Sequence, residues 1–226
     1  MTEYLRPTPW DVRNFHIDTF EVTSMEEEAL AQTEERKGHY TIKIDPLSNP
    51  KRLLDSGFYY VDTLIEPVCK AEKLLNFDQE GITIEERYNL NTVLEIAEKT
   101  FHHGRFHRDF NIPNEQADKR YMNWTKDLIE KEQVYALNVQ GETAGFYGFE
   151  KDKVLLLGMS RKYRGKGLAR PFLSAACQKQ LIESGSEELT TSISAANVAS
   201  LNLFYSLGYR LRTTKDVYHK LNRLGG

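Results

Sequence analysis

Residues 158–170 read Gly158-Met159-Ser160-Arg161-Lys162-Tyr163-Arg164-Gly165-Lys166-Gly167-Leu168-Ala169-Arg170, and this stretch decides the fold. It follows an apolar, strand-like run from Val154 to Leu157 and leads into a helical pattern from Leu168 to Ile182. Gly165 and Gly167 bracket a lysine where strand gives way to helix. Such a turn exposes successive backbone N–H groups at a helix N-terminus, a receptor for phosphate oxygens. Arg164 and Lys166 add positive charge at the same place. The expected ligand carries a pyrophosphate.

Three kinds of phosphate loop compete for the segment. A Walker loop needs four residues between its glycine and Gly-Lys-Ser/Thr, which the segment lacks. A dinucleotide loop needs a third glycine or alanine, and Arg170 stands there. It also wants an acidic residue ending the next strand, whereas Glu187 and Glu188 precede that strand. What remains is a strand, then x-x-Arg-Gly-x-Gly-x-Ala, then a helix. Downstream, Ala195-Ala196-Asn197-Val198-Ala199-Ser200-Leu201-Asn202-Leu203-Phe204-Tyr205-Ser206-Leu207-Gly208-Tyr209 forms a second motif, with Asn197 placed to cap a helix.

Together the two motifs resemble those of the GCN5-related N-acetyltransferase superfamily, over about the last 140 residues. The resemblance implies an α/β (α+β) fold, a mixed, mostly antiparallel sheet flanked by helices. It implies acetyl-CoA or another short acyl-CoA as co-substrate, with no metal. Backbone N–H groups around Leu157, Gly158 and Met159 would stabilise the oxyanion that forms when an amine attacks the thioester, with Leu157 the leading donor. The loop Arg164, Gly165, Lys166, Gly167, Leu168 and Ala169 would hold the pyrophosphate. Asn197, with Ser200 and Tyr205, would contact the coenzyme arm.

The sequence departs from the pattern at the general acid. The family's usual tyrosine, seven residues after the motif asparagine, is Phe204 here. Tyr205 carries a hydroxyl but is turned by about 100° around the helix. Either Tyr205 substitutes, or the coenzyme leaves without an acid; a thiol pKa of about 8.5 makes its thiolate a tolerable leaving group. Lys162 stands where glutamine or arginine is commoner.

The acceptor reading rests on Phe101-His102-His103-Gly104-Arg105-Phe106-His107-Arg108-Asp109-Phe110-Asn111-Ile112-Pro113, between the first two helices of this domain. With Trp10, Tyr121 and Trp124, it resembles the dTDP-fucosamine acetyltransferase group, which pairs a small N-terminal domain with the acetyltransferase domain. That likeness implies a nucleotide-linked (dTDP) amino-dideoxyhexose acceptor for surface polysaccharide (O-antigen or capsule) synthesis. Arg105 and Arg108 would meet the diphosphate, while Phe106, Tyr121 or Trp124 would stack on the base. His107 or Asp109 would accept the ammonium proton. Tyr121 and Trp124 also sit at helical core spacing, a packing role. The donor is acetyl or a short hydroxyacyl such as 3-hydroxybutanoyl; Gly145 and Gly148, on a strand facing the expected acyl pocket, would leave room for the longer one. The alternatives are an acyltransferase for another small amine or a protein amino group, and a non-catalytic CoA-binding regulatory domain.

Composition bounds these readings. The 226 residues carry a formal charge of -3, which argues against general nucleic-acid binding. Cys69 and Cys177 are far apart without metal-like spacing; Cys177 falls on an apolar helical stripe. Neither a signal peptide nor a membrane span is read, so a cytoplasmic protein is expected. Periodicity predicts helices over 91–101 and around 121–129, then strands over 134–139, 143–149 and 154–159. After the loop it predicts helix, strand 189–194, helix 198–207 and strand 209–221. Residues 1–76 form the expected small N-terminal α/β domain, with strands over 15–22 and 40–44 and a helix over 25–37. Leu53-Leu54-Asp55-Ser56-Gly57-Phe58-Tyr59 echoes the helix-to-strand turn at 205–209, which suggests a degenerate half-copy of the same fold. The acetyltransferase domain is expected over 77–226, with 77–84 as the joining region.

Overall fold

The computed structural model describes residues 4–223. The chain forms two compact units. One takes in the chain through Leu64, then His103–Arg120, then the end from Thr214; the other is Ile65–His102 with Tyr121–Thr213. A single cut at 76/77 does not part them. Two strands and one helix, β4 (Tyr59–Lys70), β11 (Arg210–Asn222) and α5 (Asn114–Glu130), each run from one unit into the other.

The larger unit contains the decisive segment. Its strands follow the spatial order β4, β9 (Glu188–Thr191), β8 (Lys153–Met159), β7 (Glu142–Glu150), β6 (Val134–Val139) and β5 (Ile82–Glu85). Only β8 and β9 are parallel; the other neighbouring pairs are antiparallel. Gln140 and Gly141 both have positive φ, 50° and 81°, the backbone of a two-residue hairpin turn. The expected joining region is in part β5, hydrogen-bonded to β6. Strand alternation sorts side chains to two faces. Val134 and Phe146 pack with Val93, Ile96 and Ala97 of α4 (Leu90–Thr100) and Leu128 of α5. Tyr135 and Tyr147 pack with Phe172, Leu173 and Ala176 of α6 (Ala169–Ser184) and Phe204 of α7 (Val198–Ser206). Pro171 lies in the first turn of α6, where its missing N–H costs little. Cys177 is fully buried there between the hydroxyls of Tyr147 and Tyr209, and burial pushes its thiol up to about 11. This is a packed, unreactive cysteine.

In the smaller unit, β1 (Leu5–Pro7) pairs antiparallel with β2 (Thr19–Val22), β2 parallel with β3 (Gly38–Ile44), and β3 antiparallel with β11. The expected strand over 15–22 starts late. Pro9 opens helix α1 (Pro9–Phe15), which ends at left-handed His16, so Phe15 is helical. Helix α2 (Glu27–Glu35) joins the parallel pair β2 and β3, and α3 (Lys51–Asp55) precedes β4. The order strand, helix, parallel strand, helix, positive-φ glycine, long strand thus occurs twice. It runs over β2, α2, β3, α3, Gly57 and β4, and again over β8, α6, β9, α7, Gly208 and β11. Among the described residues no helix is long and apolar enough to cross a membrane.

Candidate functional site

The site begins where two parallel strands part. β8 and β9 pair only at Lys153↔Thr190 and Val154↔Thr191. The expected strand over 189–194 is broken: β9 stops at Thr191, and β10 (Ile193–Ser194) pairs with β4 instead. β8 continues to Met159 along an edge that β9 has left. On its other edge, Ser160 N–H donates to the Ala144 carbonyl at 2.8 Å, and Phe146 stands opposite Gly158. Backbone groups alternate along a strand. With Ser160 and Gly158 turned toward β7, the N–H groups of Leu157 and Met159 point into the gap. Of the three expected oxyanion donors, Leu157 and Met159 thus turn their N–H groups to the edge that β9 has left, and Gly158 turns its own toward β7. Gly158 serves packing, since a Cβ there would lie 2.3 Å from the fully buried Phe146 ring.

After β8 the chain makes a short 3-10 turn, Arg161–Tyr163, then the glycine loop. Gly165 and Gly167 have φ of 73° and 75°, the left-handed region that L side chains disfavour, and open space lies beside each. Leu168 is the N-cap of α6 and makes no side-chain capping bond, so the N-cap itself leaves the first-turn N–H groups uncapped. The basic side chains divide into two sets. Lys162 is paired with Glu142, which also accepts from Tyr163. Arg164 is bonded to the protein backbone, its Nε donating to the Met159 carbonyl at 2.9 Å. Lys166 lies over the Tyr163 ring at 5.3 Å, and Arg170 over Phe77 at 5.1 Å. Neither makes an ion pair among the described residues. A groove of about 660 Å³ runs along α4 beside this loop, lined by Lys99, Thr100, Glu142, Arg161, Lys162 and Arg164 among others.

On the β9 side, Asn197 caps α7 as its position predicted: its side chain accepts from Ser200 N–H at 3.1 Å. Phe204 is buried, edge-on to Tyr209 at 4.9 Å. Tyr205 is 60% exposed, with the Arg210 guanidinium 4.6 Å from its ring centroid. The helix thus turns the hydroxyl-bearing ring outward and the phenyl ring inward.

Several acceptor-site expectations need correction. Phe106 is buried in an apolar cluster with Phe15, Ile112 and Ala117, so it is a core residue and not a stacking platform. Asp109 is 1% exposed, and its carboxylate accepts four hydrogen bonds. These come from His39 Nε2 at 3.0 Å, His219 Nδ1 at 2.7 Å, and Tyr59 hydroxyl and Asn111 N–H, each at 2.9 Å. A carboxylate so occupied cannot serve as a base for a bound amine. His39, Asp109 and His219 form a metal-like cluster by proximity, but the four donors already fill the carboxylate's lone-pair sites. His107 is also mostly buried, its Nε2 2.9 Å from Asp118. Arg105 lies over the Phe106 ring at 4.7 Å. In the larger unit, Tyr121 stacks on Phe101 at 4.5 Å and Trp124 packs in the same cluster, which is their helical-spacing role. Gly145 and Gly148 leave no acyl room. A Cβ at Gly145 would meet the Gly158 carbonyl oxygen at 2.3 Å, and one at Gly148 would meet Leu128 at 2.9 Å.

Two features escaped the sequence reading: the break between β9 and β10, and the buried partners of Asp109. Neither has a local signal, since both depend on which distant segment each residue meets.

No protein-family model and no curated protein matches the chain. Solved structures do. A GCN5-related N-acetyltransferase from Sphaerobacter thermophilus superposes with a TM-score of 0.65 at 14% identity, over 98% of this chain and 77% of that one. A tandem GNAT protein from the clavulanic acid biosynthesis pathway gives 0.53 at 11%, over 90% and 75%. A glucosamine N-acetyltransferase region of a fungal multi-domain β-N-acetylglucosaminidase gives 0.59 at 10%, over 90% of this chain and 30% of that one.

Proposed function

We propose that this chain, which has the fold of GCN5-related N-acetyltransferases, is an acyl-CoA-dependent N-acyltransferase. The observation that carries the reading is the parted edge of β8, ending directly in the Gly165–Gly167 loop. The gap between β8 and β9 suits a pantetheine arm, which carries amide groups that bond to a strand edge. The loop and first turn of α6 suit its pyrophosphate. Lys166 and Arg170 supply charge there, with Asn197 and Ser200 on the opposite wall.

In this reading, Leu157 and Met159 N–H groups hold the thioester carbonyl oxygen. A neutral amine attacks the carbonyl carbon, the C–N bond forms, and charge gathers on that oxygen where the two donors meet it. The C–S bond then breaks and CoA leaves as a thiolate. With Phe204 at the usual acid position and Tyr205 facing outward, no side chain of α7 protonates the sulfur. The amine's proton goes to water, since Asp109 is committed to its own partners.

The acceptor we propose is a nucleotide-linked (dTDP) amino-dideoxyhexose, supported by the likeness of residues 101–113. A structural neighbour that acts on glucosamine is in keeping with an amino-sugar acceptor. The N-terminal half is proposed as a degenerate copy of the same fold. Its β2-to-α2 connection lacks glycine and places Glu26, Glu27 and Glu28 at the helix N-terminus, which repels phosphate. The test is thiol release from acetyl-CoA and 3-hydroxybutanoyl-CoA with dTDP-3-amino and dTDP-4-amino sugars, glucosamine and a peptide amine. Turnover confined to the dTDP sugars supports the whole reading; turnover with another amine sinks the acceptor alone. CoA binding without any turnover favours the non-catalytic alternative, which the buried Phe204 would suit.

A further inference from the structure

We propose that Arg164 is a positioning residue that locks the oxyanion strand to helix α4, and not a phosphate ligand. Its catalytic consequence rests on the acyl-CoA reading; the lock itself does not. Arg164 Nε donates to the Met159 carbonyl at 2.9 Å, and Nη2 donates to the Lys99 carbonyl at 3.3 Å and to Thr100 Oγ1 at 3.1 Å. Lys99 and Thr100 are the last two residues of α4, where helix carbonyls lack partners within the helix. A cation there also meets the negative end of the helix dipole. Thr100 in turn donates its hydroxyl to the Ile96 carbonyl at 2.5 Å, which fixes Oγ1 as an acceptor for the guanidinium.

The contacts join three things: the end of β8, the end of α4 and the loop that follows β8. Met159 supplies one of the two N–H groups directed into the gap, and its own carbonyl is the atom that Arg164 holds. The planar guanidinium fixes several donor directions at once, which the single ammonium of lysine cannot reproduce. With Arg164 turned to the backbone, the phosphate-seeking charge of the loop falls to Lys166 and Arg170, which make no ion pair among the described residues.

Arg164→Ala and Arg164→Lys separate the two roles. We expect backbone amides of residues 97–102 and 158–165 to exchange hydrogen faster in both variants of the unliganded protein. The Kd for CoA should change by less than about threefold. Turnover of acetyl-CoA, with the best amine found, should fall in kcat by roughly 10- to 100-fold, the scale of a misplaced or lost oxyanion donor. Thr100→Val should give a smaller loss in kcat, and the double variant should be no worse than Arg164→Ala alone, as expected for one shared contact. Lys166→Ala should raise the Kd for CoA by more than either Arg164 variant does. Unchanged exchange in the two segments overturns the lock. A tenfold or greater rise in Kd for CoA with kcat intact makes Arg164 a phosphate ligand after all. If the wild type neither binds CoA nor turns over, the acyl-CoA reading fails, while the exchange data still decide the lock.

Discussion

Phe204 and Tyr205 are adjacent, yet the helix gives them opposite surroundings. The phenyl ring is 4% exposed and edge-on to Tyr209, while Tyr205 is in solvent against Arg210. A hydroxyl added by Phe204→Tyr would be buried among Leu207, Tyr209 and their neighbours. An unpartnered buried hydroxyl costs about 1–3 kcal/mol. We therefore expect this variant to lower the denaturation midpoint and to leave kcat for acyl transfer within about threefold of wild type, the thiolate departing unaided. A gain in kcat of tenfold or more would place the new hydroxyl at the sulfur and show that an acid had been limiting. Phe204 was legible as a departure from the motif, because the spacing from Asn197 is local. That Phe204 and Tyr205 face different ways was legible too, from the helix step of about 100°, but which of them faces inward was not.

The connection between α4 and α5 shows how an element acquires a fixed shape without regular structure. Asp109 is its anchor, bonded to His39 on β3, His219 on β11 and Tyr59 on β4. Burial alone would raise the Asp109 carboxyl, but the hydrogen bonds from His219 and His39 outweigh it and hold it well below the usual carboxylate range. Burial pushes His219 down to about 3 against the opposing pull of its hydrogen bond to Asp109, with the Arg105 guanidinium adding positive charge nearby. Since Asp109 only accepts, neutral His219 donates from Nδ1 and leaves Nε2 buried without a partner among the described residues. Protonating that nitrogen would bury an N–H with nothing to receive it. Both folded pKa values lie below the ordinary ones, so both groups stabilise the fold at neutral pH. The His219 contribution is full above about pH 6.5 and is lost as pH falls toward 3; that of Asp109 goes below the ordinary aspartate range. Thermal denaturation followed from pH 7 to 4 should show a steady fall in Tm, made shallower by His219→Gln. Asp109→Asn puts an amide N–H₂ among groups that need an acceptor and should cost about 1–3 kcal/mol at pH 7, the scale for leaving a buried hydrogen-bonding group unsatisfied. A flat Tm profile over that range would contradict the assignment. The sequence identified residues 101–113 as unusual, but it read the aromatics and charges as ligand-facing. The partners that bury them lie 50 to 110 positions away, outside the reach of any periodicity.

At the scale of the whole chain, the two proposed half-copies do not keep their own last strands. β4 ends the first copy, yet Val68, Cys69 and Lys70 pair with Thr190, Leu189 and Glu188 of β9. β11 ends the second, yet Asp216 through Asn222 pair with Ile44 back to Gly38 of β3. Each half therefore completes a unit built mainly from the other, and this exchange explains why compact units and sequence halves disagree. The turn glycines, strand runs and helices of both halves were readable because each is a local pattern. The exchange was not, because β4 and β11 carry strand signals that say nothing about which edge they join. Its consequence is physical: separating the chain at residue 76 would strip β9 of β4 and expose the buried Cys69 neighbourhood, and would strip β3 of its partner along seven register pairs. Bare, apolar strand edges of that length aggregate. Expressed singly, fragments 1–76 and 77–226 should be insoluble or lack a cooperative unfolding transition. Expressed together, they should recover a soluble 1:1 complex with near-native circular dichroism, since each supplies the strand the other lacks. A 77–226 fragment that is monomeric, folds cooperatively and binds CoA alone would mean that β4 adds little to the larger unit, and the exchange would then be a packing detail.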